Sequence, residues 1–599
     1  MIRTSASCRA AAAAGLAAAL LLTSACSTGS DDAPSGNPPP IAIPELDDYP
    51  SAQLIGQLAL RDGCLVAGGS VLLLPEGTQW FPEERELVVA DRSAKVGDQV
   101  RFGGGEVPLY FVKDLAGAEQ RDAAQACLDA DAASTLFLVS GASDPGDSAP
   151  QDADLDLAVS EPQPDSVYPD VGQAGVDALH YDLDLNWDPD TRVLTGRAEI
   201  TLRATRDADA LRLDLAKPLK VADVTLDGQQ VTATHPGNDL VIPTPVRANQ
   251  RYALAIDYRG RARALPAPTE RGDFDSLGWT VTPAGEVWTM QEPYGAHSWY
   301  PVNDHPSDKA LYSFTIHAPR PWTGVANGRL VDTRDDEDGR TTRWETDEPL
   351  AAYLATVAIG DYTSSTVTTD SGLAITSWYP RGLPGARRDL AFAAEAVDWI
   401  EAKLGPYPFS TLGQVMTDSD SAMETQTMVT LGNNEYIRSP AVILHELVHQ
   451  WWGDQVSPAD WRDVWLNEGF TMYLQWVWEA EQSGENLERM LAQYAASDQW
   501  LRDAYGPPGD WRPEAFGAGN IYYLPALMWH ELRLKLGDGE FWRIVGDWPR
   551  EQDNASVTRD QLYDYIEAES GLELSEFFDA WIMGEKTPPR AGRSTSSES

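Results

Sequence analysis

The most chemically loaded stretch of the chain is His445-Glu446-Leu447-Val448-His449. On a helix, positions i and i+4 share a face one turn apart, so both imidazoles can reach one metal ion. Glu446 stands between them, placed to take a proton from a water on that metal. A catalytic zinc site needs a third protein ligand and leaves its fourth position to water. Glu468 offers that ligand. Eighteen residues separate it from His449, and a second helix from Trp465 to about residue 481 would lay it beside the first. Only eight histidines occur in 599 residues, so the spacing is unlike a chance pairing. The apolar residues 441–444 and the pair Trp451-Trp452 predict a buried helix, and buried His and Glu side chains require partners. The reading is one Zn2+ per chain, held by His445, His449 and Glu468, with Glu446 as general base.

A chain of this length exceeds what one hydrophobic core holds, so two to four domains are expected. The apolar fraction of 43% and the 21 tryptophans exclude a wholly disordered polypeptide. A formal net charge of -47 argues against nucleic acid or an anionic membrane surface as partner, since both need clustered Lys and Arg. Arg3 and Arg9 precede an apolar run from Ala10 to Leu22 and then Thr23-Ser24-Ala25-Cys26. This pattern reads as a signal peptide, too short to span a bilayer. It resembles a bacterial lipobox, with Thr23 where Leu is usual. Cys26 is then the lipidation site, and the protein is exported, anchored by lipid on the outer face of the cytoplasmic membrane or else secreted. Cys8 leaves with the signal, so Cys64 and Cys127 remain as an even pair in an oxidising compartment, which predicts a disulfide; two free thiols are the alternative.

The supporting elements follow in order. Residues 27–44 are a polar tether. Residues 45–140 carry short apolar runs punctuated by Gly and Pro, and read as a small β-rich accessory domain with one helical stretch around Cys127. Residues 141–176, rich in Asp, Ser, Pro and Gly, read as a linker. Alternating strands fill 177–362, and helices take over from about Arg387 within a second domain over 363–587. Ser439-Pro440 supplies an N-cap residue and a first-turn proline for the metal helix. A later helix is expected to start at Pro525, and residues 588–599 form a polar tail. The fold class is multidomain α and β: all-β N-terminal domains, then a mostly α-helical catalytic domain.

The run His445 to Asp454, with Trp465-Leu466-Asn467-Glu468-Gly469-Phe470, closely resembles the gluzincin aminopeptidases, the family of aminopeptidase N. The resemblance extends over about 177–587. It includes His180-Tyr181-Asp182-Leu183-Asp184-Leu185 and Trp299-Tyr300-Pro301-Val302-Asn303-Asp304-His305-Pro306, similar to the family's W-x-P-C-x-D-x-P with Val302 for Cys. It implies a thermolysin-like zinc domain and an exopeptidase that removes N-terminal residues from oligopeptides by attack of a zinc-bound water. Ser421-Ala422-Met423-Glu424-Thr425 matches the family's G-x-M-E-N strand, so Glu424 is the expected partner of the substrate ammonium. Ser421 and Thr425 depart from the pattern, which leaves substrate scope open. Glu292, in Thr289-Met290-Gln291-Glu292-Pro293, is the second expected amine anchor, with an ordinary domain-interface acid as the alternative. The family's oxyanion tyrosine corresponds by register to Tyr522, with Tyr523 as its rival. His530 reads as structural.

Two other functions remain open at this level. A thermolysin-like endopeptidase would share the zinc ligands without an amine anchor. A cell-surface binding protein would carry a vestigial metal site. The long helical C-terminal domain of larger family members has no counterpart in the sequence, which implies a more open cleft and tolerance of longer peptides.

Overall fold

The computed structural model describes residues 155–335, 339–552 and 554–590, together with segments between 41 and 143. The signal segment with Cys26, the tether as far as residue 40, and the tail from 591 lie outside the described residues. Two compact units divide at residue 148.

The first unit is built on a sheet whose central strands run Gln99–Glu106, Thr135–Ser143, Ser70–Pro75 and Cys64–Ala67 in spatial order. Its bounds are wider than the expected 45–140. Ile41–Ile43, placed by its polar neighbours in the tether, pairs in parallel with Ser70–Pro75, and Ile41 is buried in the unit's core. A disulfide joins Cys64, at a strand start, to Cys127 in the helical residues 123–128. It closes a loop of 63 residues in a unit whose buried clusters are small.

In the second unit a large sheet runs through Leu219–Leu226, Arg251–Gly260, Val193–Ala204, Val176–Asp188, Lys309–Ala318 and Arg340–Glu345. Along Val193–Ala204, Leu194, Ala198, Ile200 and Leu202 are buried while alternate residues face out, the period-two pattern of a half-buried strand. Val176–Asp188 and Lys309–Ala318 pair in parallel, so the chain between them must leave the sheet and return. That excursion carries Glu292, just past the strand Val287–Met290.

A second, mixed sheet opens the catalytic part, ordered Tyr362–Thr368, Ala374–Pro380, Leu412–Thr417, Met428–Gly432 and Ala422–Met423. Its β-rich start was less visible in sequence than the helices behind it. Three of those helices matter for function: α1 (Pro440–Val448), α2 (Trp465–Ser483) and α3 (Gly519–Leu536). The main apolar core, from Val167 to Ile582, runs between sheets and helices.

Two expectations need correction. The linker over 141–176 is not loose throughout, because its second half is strapped to the turns that precede α2 and α3. Asp165 accepts from the backbone of Val167, Tyr168 and Trp461, and the Tyr168 hydroxyl donates to the Pro513 carbonyl at 2.8 Å. Polar residues here cap backbone groups rather than solvate a free chain. The helix expected from Pro525 begins six residues earlier, at Gly519. Proline costs an interior hydrogen bond there, but its ring fills a close crossing with α2. A Cβ at Gly469 would lie 2.5 Å from the Pro525 ring, so only glycine lets the two helices approach.

Candidate active site

Helix α1 carries the first half of the site. Ser439 precedes it with extended backbone and Pro440 occupies its first turn, although no side-chain cap bond forms. His445 and His449 point the same way one turn apart, their ring centroids separated by 5.0 Å. Helix α2 brings Glu468 to them in its first turn. Glu468 Oε2 lies 3.3 Å from His445 Nε2 and 3.4 Å from His449 Nε2. Two donors about 2.0–2.1 Å from one ion at a tetrahedral angle stand about 3.3–3.4 Å apart, so the three atoms fit a zinc ion.

The far ring nitrogens are held in the sense that a metal requires. His445 Nδ1–H donates to Gln475 Oε1 at 3.1 Å, and His449 Nδ1–H donates to the Trp452 carbonyl at 3.1 Å. Both bonds leave the Nε2 lone pairs facing Glu468. Gln475 lies seven residues after Glu468, on the same face of α2, so helical spacing could have flagged it.

Electrostatics point to missing positive charge. Four buried carboxyls, Glu292, Glu424, Glu446 and Glu468, line one cleft of about 540 Å³, and Arg271 is its sole Lys or Arg among the described lining residues. Burial, reinforced by mutual repulsion, pushes Glu292 and Glu446 well above the ordinary carboxyl range, and burial raises Glu424 as well. Glu468 goes the other way: burial opposes its charge, but the two imidazoles that face it pull it below the usual range. Glu292 Oε1 and Glu424 Oε1 are buried without a hydrogen-bond partner. Such oxygens are costly unless a cation joins them. A divalent cation held by the triad would supply part of that charge.

Glu292 and Glu424 reach the cleft from different layers. Glu424 follows the edge strand Ala422–Met423, and its backbone carbonyl accepts from Gln450 Nε2 at 2.8 Å, just beyond the metal helix. Gln450 is itself held by Asp454 at 2.6 Å. Glu292 comes from the β-rich domain. The Trp299 indole donates to Gln291 Oε1 at 2.9 Å, while Asp304 Oδ2 accepts from Gly295 N at 2.9 Å and pairs with His297 Nδ1 at 2.6 Å. The Trp299-to-Pro306 segment is thus a clamp on the loop that bears Glu292. Ser421 and Thr425 are buried; the Thr425 hydroxyl bonds the Thr430 hydroxyl at 2.8 Å.

Tyr522, in the first turn of α3 rather than before it, donates its hydroxyl to Glu468 Oε1 at 2.7 Å. Tyr523 lines the cleft without bonding the triad, its ring stacked on Trp476 at 5.9 Å and tilted against Tyr494 at 5.1 Å. Arg271 Nη1 donates to the Tyr522 oxygen at 3.2 Å, with Asp273 gripping the same guanidinium at 2.7 Å. No local sequence signal marks Arg271, because its partner is 251 residues away. His530 bonds the Tyr473 hydroxyl and Glu488, away from the metal ligands.

Known proteins carry the same architecture. Residues 177–354 match the Peptidase M1 N-terminal domain and residues 389–581 the Peptidase family M1 domain. The M1 zinc metallopeptidase from Deinococcus radiodurans superposes with TM-score 0.63 and 27% identity, over 71% of this chain and 98% of that one. A variant of it bound to a Tyr-Ser-Ala substrate gives TM-score 0.64. Aminopeptidase N of Streptomyces lividans is 26% identical over 68% of this chain, and aminopeptidase B of Rattus norvegicus 29% identical over 50%. The matches span about half the length of these two relatives, and 34% of endoplasmic reticulum aminopeptidase 2 of Bos taurus, which is 26% identical over 50% of this chain. With two family domains in sequence and a ligand triad at zinc spacing, the chain belongs to peptidase family M1.

Proposed function

We propose that the protein is a zinc aminopeptidase that removes the first residue from peptides with a free N-terminus. One observation carries this reading: Glu292 and Glu424 place unpartnered carboxylate oxygens in the cleft that holds the metal triad. An endopeptidase, whose substrate runs through the cleft as neutral backbone, would have to leave both acids buried and unpaired.

A zinc ion bound by His445, His449 and Glu468 supplies a Lewis acid that acidifies water and polarises the scissile carbonyl. The two amine anchors fix the substrate's ammonium, which sets one residue between it and the reacting bond. Glu446 accepts the proton of the attacking water and returns it to the leaving amine. The Tyr522 hydroxyl donates to the oxygen on which negative charge develops.

Export, and a lipid anchor at Cys26, belong to the same proposal. The Cys64–Cys127 disulfide supports an oxidising compartment. Labelling with a fatty acid, lost in Cys26→Ser, would establish the anchor; unlabelled, freely released protein would remove it.

The deciding experiment compares amino-acyl arylamides with their N-acetylated forms, before and after chelation and zinc restoration. Hydrolysis of only the free-amine series, lost on chelation and regained with zinc, is expected. Equal cleavage of acetylated substrates would overturn the reading.

A further inference from the structure

We infer that Tyr168, in a segment outside both matched family domains, is a positioning residue for the loop that bears Glu292. The inference rests on the reading of Glu292 as an amine anchor.

Residues 160–173 form a strap between the β-rich domain and the turns that lead into the catalytic helices. Two aspartates fasten one end by exchanging caps. Asp165, only 4% exposed, accepts from the backbone of Val167 and Tyr168 at 2.8 and 2.6 Å, and from Trp461 N at 2.7 Å. Asp460 reciprocates, accepting from Ser166 N at 2.9 Å and from Ser166 Oγ at 2.8 Å. Trp461 opens the short turn that runs into α2, seven residues before Glu468. The other end meets the clamp of residues 299–306. Asp214 Oδ2 accepts from Gly172 N at 2.9 Å and from Asp304 N at 3.2 Å, while Gln173 N donates to Asn303 Oδ1 at 2.6 Å. Gly172 has φ 74°, and a Cβ there would lie 2.7 Å from that of His305, so the strap lies directly against the clamp. A segment pinned by buried hydrogen bonds at both ends holds its side chains in fixed places, as a solvated linker cannot.

Tyr168 lies between the two fastenings. Its ring meets Tyr294 edge-on, centroids 5.0 Å apart at 81°, and Tyr294 follows Glu292 by two residues. Its hydroxyl donates to the Pro513 carbonyl at 2.8 Å, six residues before α3 begins, and Trp511 flanks the ring at 6.4 Å. The side chain therefore bridges the loop that bears Glu292 and the approach to the helix that bears Tyr522. Burial pushes the phenol's pKa up, and the charges of Tyr294, Asp165 and Glu292 add to the rise, so the anchor carboxylate lies within electrostatic reach of the ring. Glu292 Oε1 has no hydrogen-bond partner. The packing of its loop then sets where that oxygen sits, and an edge-on aromatic pair favours one geometry over others. Deleting the contact frees the loop at Tyr294, while the metal ligands stay on α1 and α2.

The test measures KM and kcat of the full zinc-loaded chain on an alanyl arylamide. Tyr168→Leu, which keeps apolar bulk but no ring, should raise KM roughly three- to tenfold, the scale of one edge-on aromatic pair. Zinc should stay bound, with kcat little changed. Tyr168→Phe keeps the ring against Tyr294 and loses only the bond to Pro513, so most of the wild-type KM should return. Tyr294→Leu cuts the same contact from the other side and should match Tyr168→Leu, which keeps the test open if one variant fails to fold. In a Glu292→Gln background Tyr168→Leu should add little, because the two act through one contact. Misfolded protein lowers kcat at constant KM, so a loss confined to kcat would overturn the inference. So would an unchanged KM, or a rise of equal size in both backgrounds. A wild-type KM in Glu292→Gln itself would instead remove the anchor reading, and this inference with it.

Discussion

The hydroxyl of Tyr522 donates to Glu468 Oε1 at 2.7 Å, so the tyrosine rests on the outer oxygen of the carboxylate whose inner oxygen faces the two histidines. The bond fixes the phenol at the metal site before substrate arrives, and its proton can be redirected to a nearby oxyanion. Removing one such donor typically costs 10² to 10³ in kcat, about 3–4 kcal/mol. Tyr522→Phe should therefore lower kcat by about that factor with KM little changed. Tyr523→Phe, which keeps the stacked ring, should cost only a few-fold. Steady-state kinetics on both variants separates them, and a larger loss at Tyr523 would reverse the assignment.

Arg271 should matter through Tyr522 rather than by itself. Its guanidinium donates to the phenol oxygen at 3.2 Å and is tied to Asp273, so it both orients the ring and draws electron density from the hydroxyl. Arg271→Ala is expected to reduce kcat roughly tenfold, the scale of one such hydrogen bond. In a Tyr522→Phe background the same change should cost much less, because coupled residues are non-additive. Full additivity in the double-mutant cycle would show that the two act independently.

Glu424→Ala and Glu292→Gln test the amine anchors. Breaking one partner of a buried charge pair costs about 3–5 kcal/mol. Glu424→Ala should lower kcat/KM on free-amine substrates by roughly 10² or more. Glu292→Gln keeps shape and a hydrogen-bonding oxygen, so a smaller loss, mainly in KM, is expected. If acetylated and free substrates converge in rate in Glu424→Ala, the carboxylate is the amine's partner.

How much of this was legible in sequence follows from the range of each interaction. His445, Glu446 and His449 are written within one helical turn, and Glu468 needs only a second helix. Gln475 shares the face of Glu468 and could have been found by counting sevens. Arg271 could not, since its contact to Tyr522 depends on a β-domain loop meeting a helix far along the chain. Pro525 misled because its ring signals a helix start locally, whereas Gly469 on another helix supplies the space that keeps it inside α3. The segment 155–176 misled through composition: Asp and Ser look like linker until Trp461 and Asp460 are in place to receive them.

Metal removal should loosen the fold as well as stop the reaction. The four buried carboxyls share one cleft with a single guanidinium, and a ligand bound to the folded state stabilises it by mass action. Chelation is expected to lower Tm by several degrees, with recovery on adding one equivalent of zinc. Glu468→Ala should bind zinc weakly and show a reduced response to chelator. An unchanged Tm across chelation, measured by scanning calorimetry, would argue that the triad holds no structural metal.

The clamp behind Glu292 predicts a pH dependence of stability. His297 is buried, which disfavours its charged form, but the 2.6 Å bond and charge of Asp304, with Asp214 adding to it, raise its pKa above the usual value near 6.5. Tyr294 packs against the same imidazole at 6.3 Å. Because the folded state holds the proton more tightly than the unfolded chain, this contribution is complete below pH 6.5 and is lost as pH rises through the folded value. Thermal stability of the wild type should therefore decline, as pH rises above 6.5 and through the folded value, by more than that of His297→Gln, which has no proton to lose. His297→Gln should also be less stable at pH 6, by an amount up to about 3–5 kcal/mol, since Asp304 keeps its backbone bonds but loses its cation. Melting curves of both proteins from pH 6 to 9 decide the matter: parallel pH profiles would mean that the His297–Asp304 pair is not the titrating element. The readout on KM is separate. Loosening the Gly295 loop displaces Glu292, so His297→Gln should weaken substrate binding more than it slows turnover.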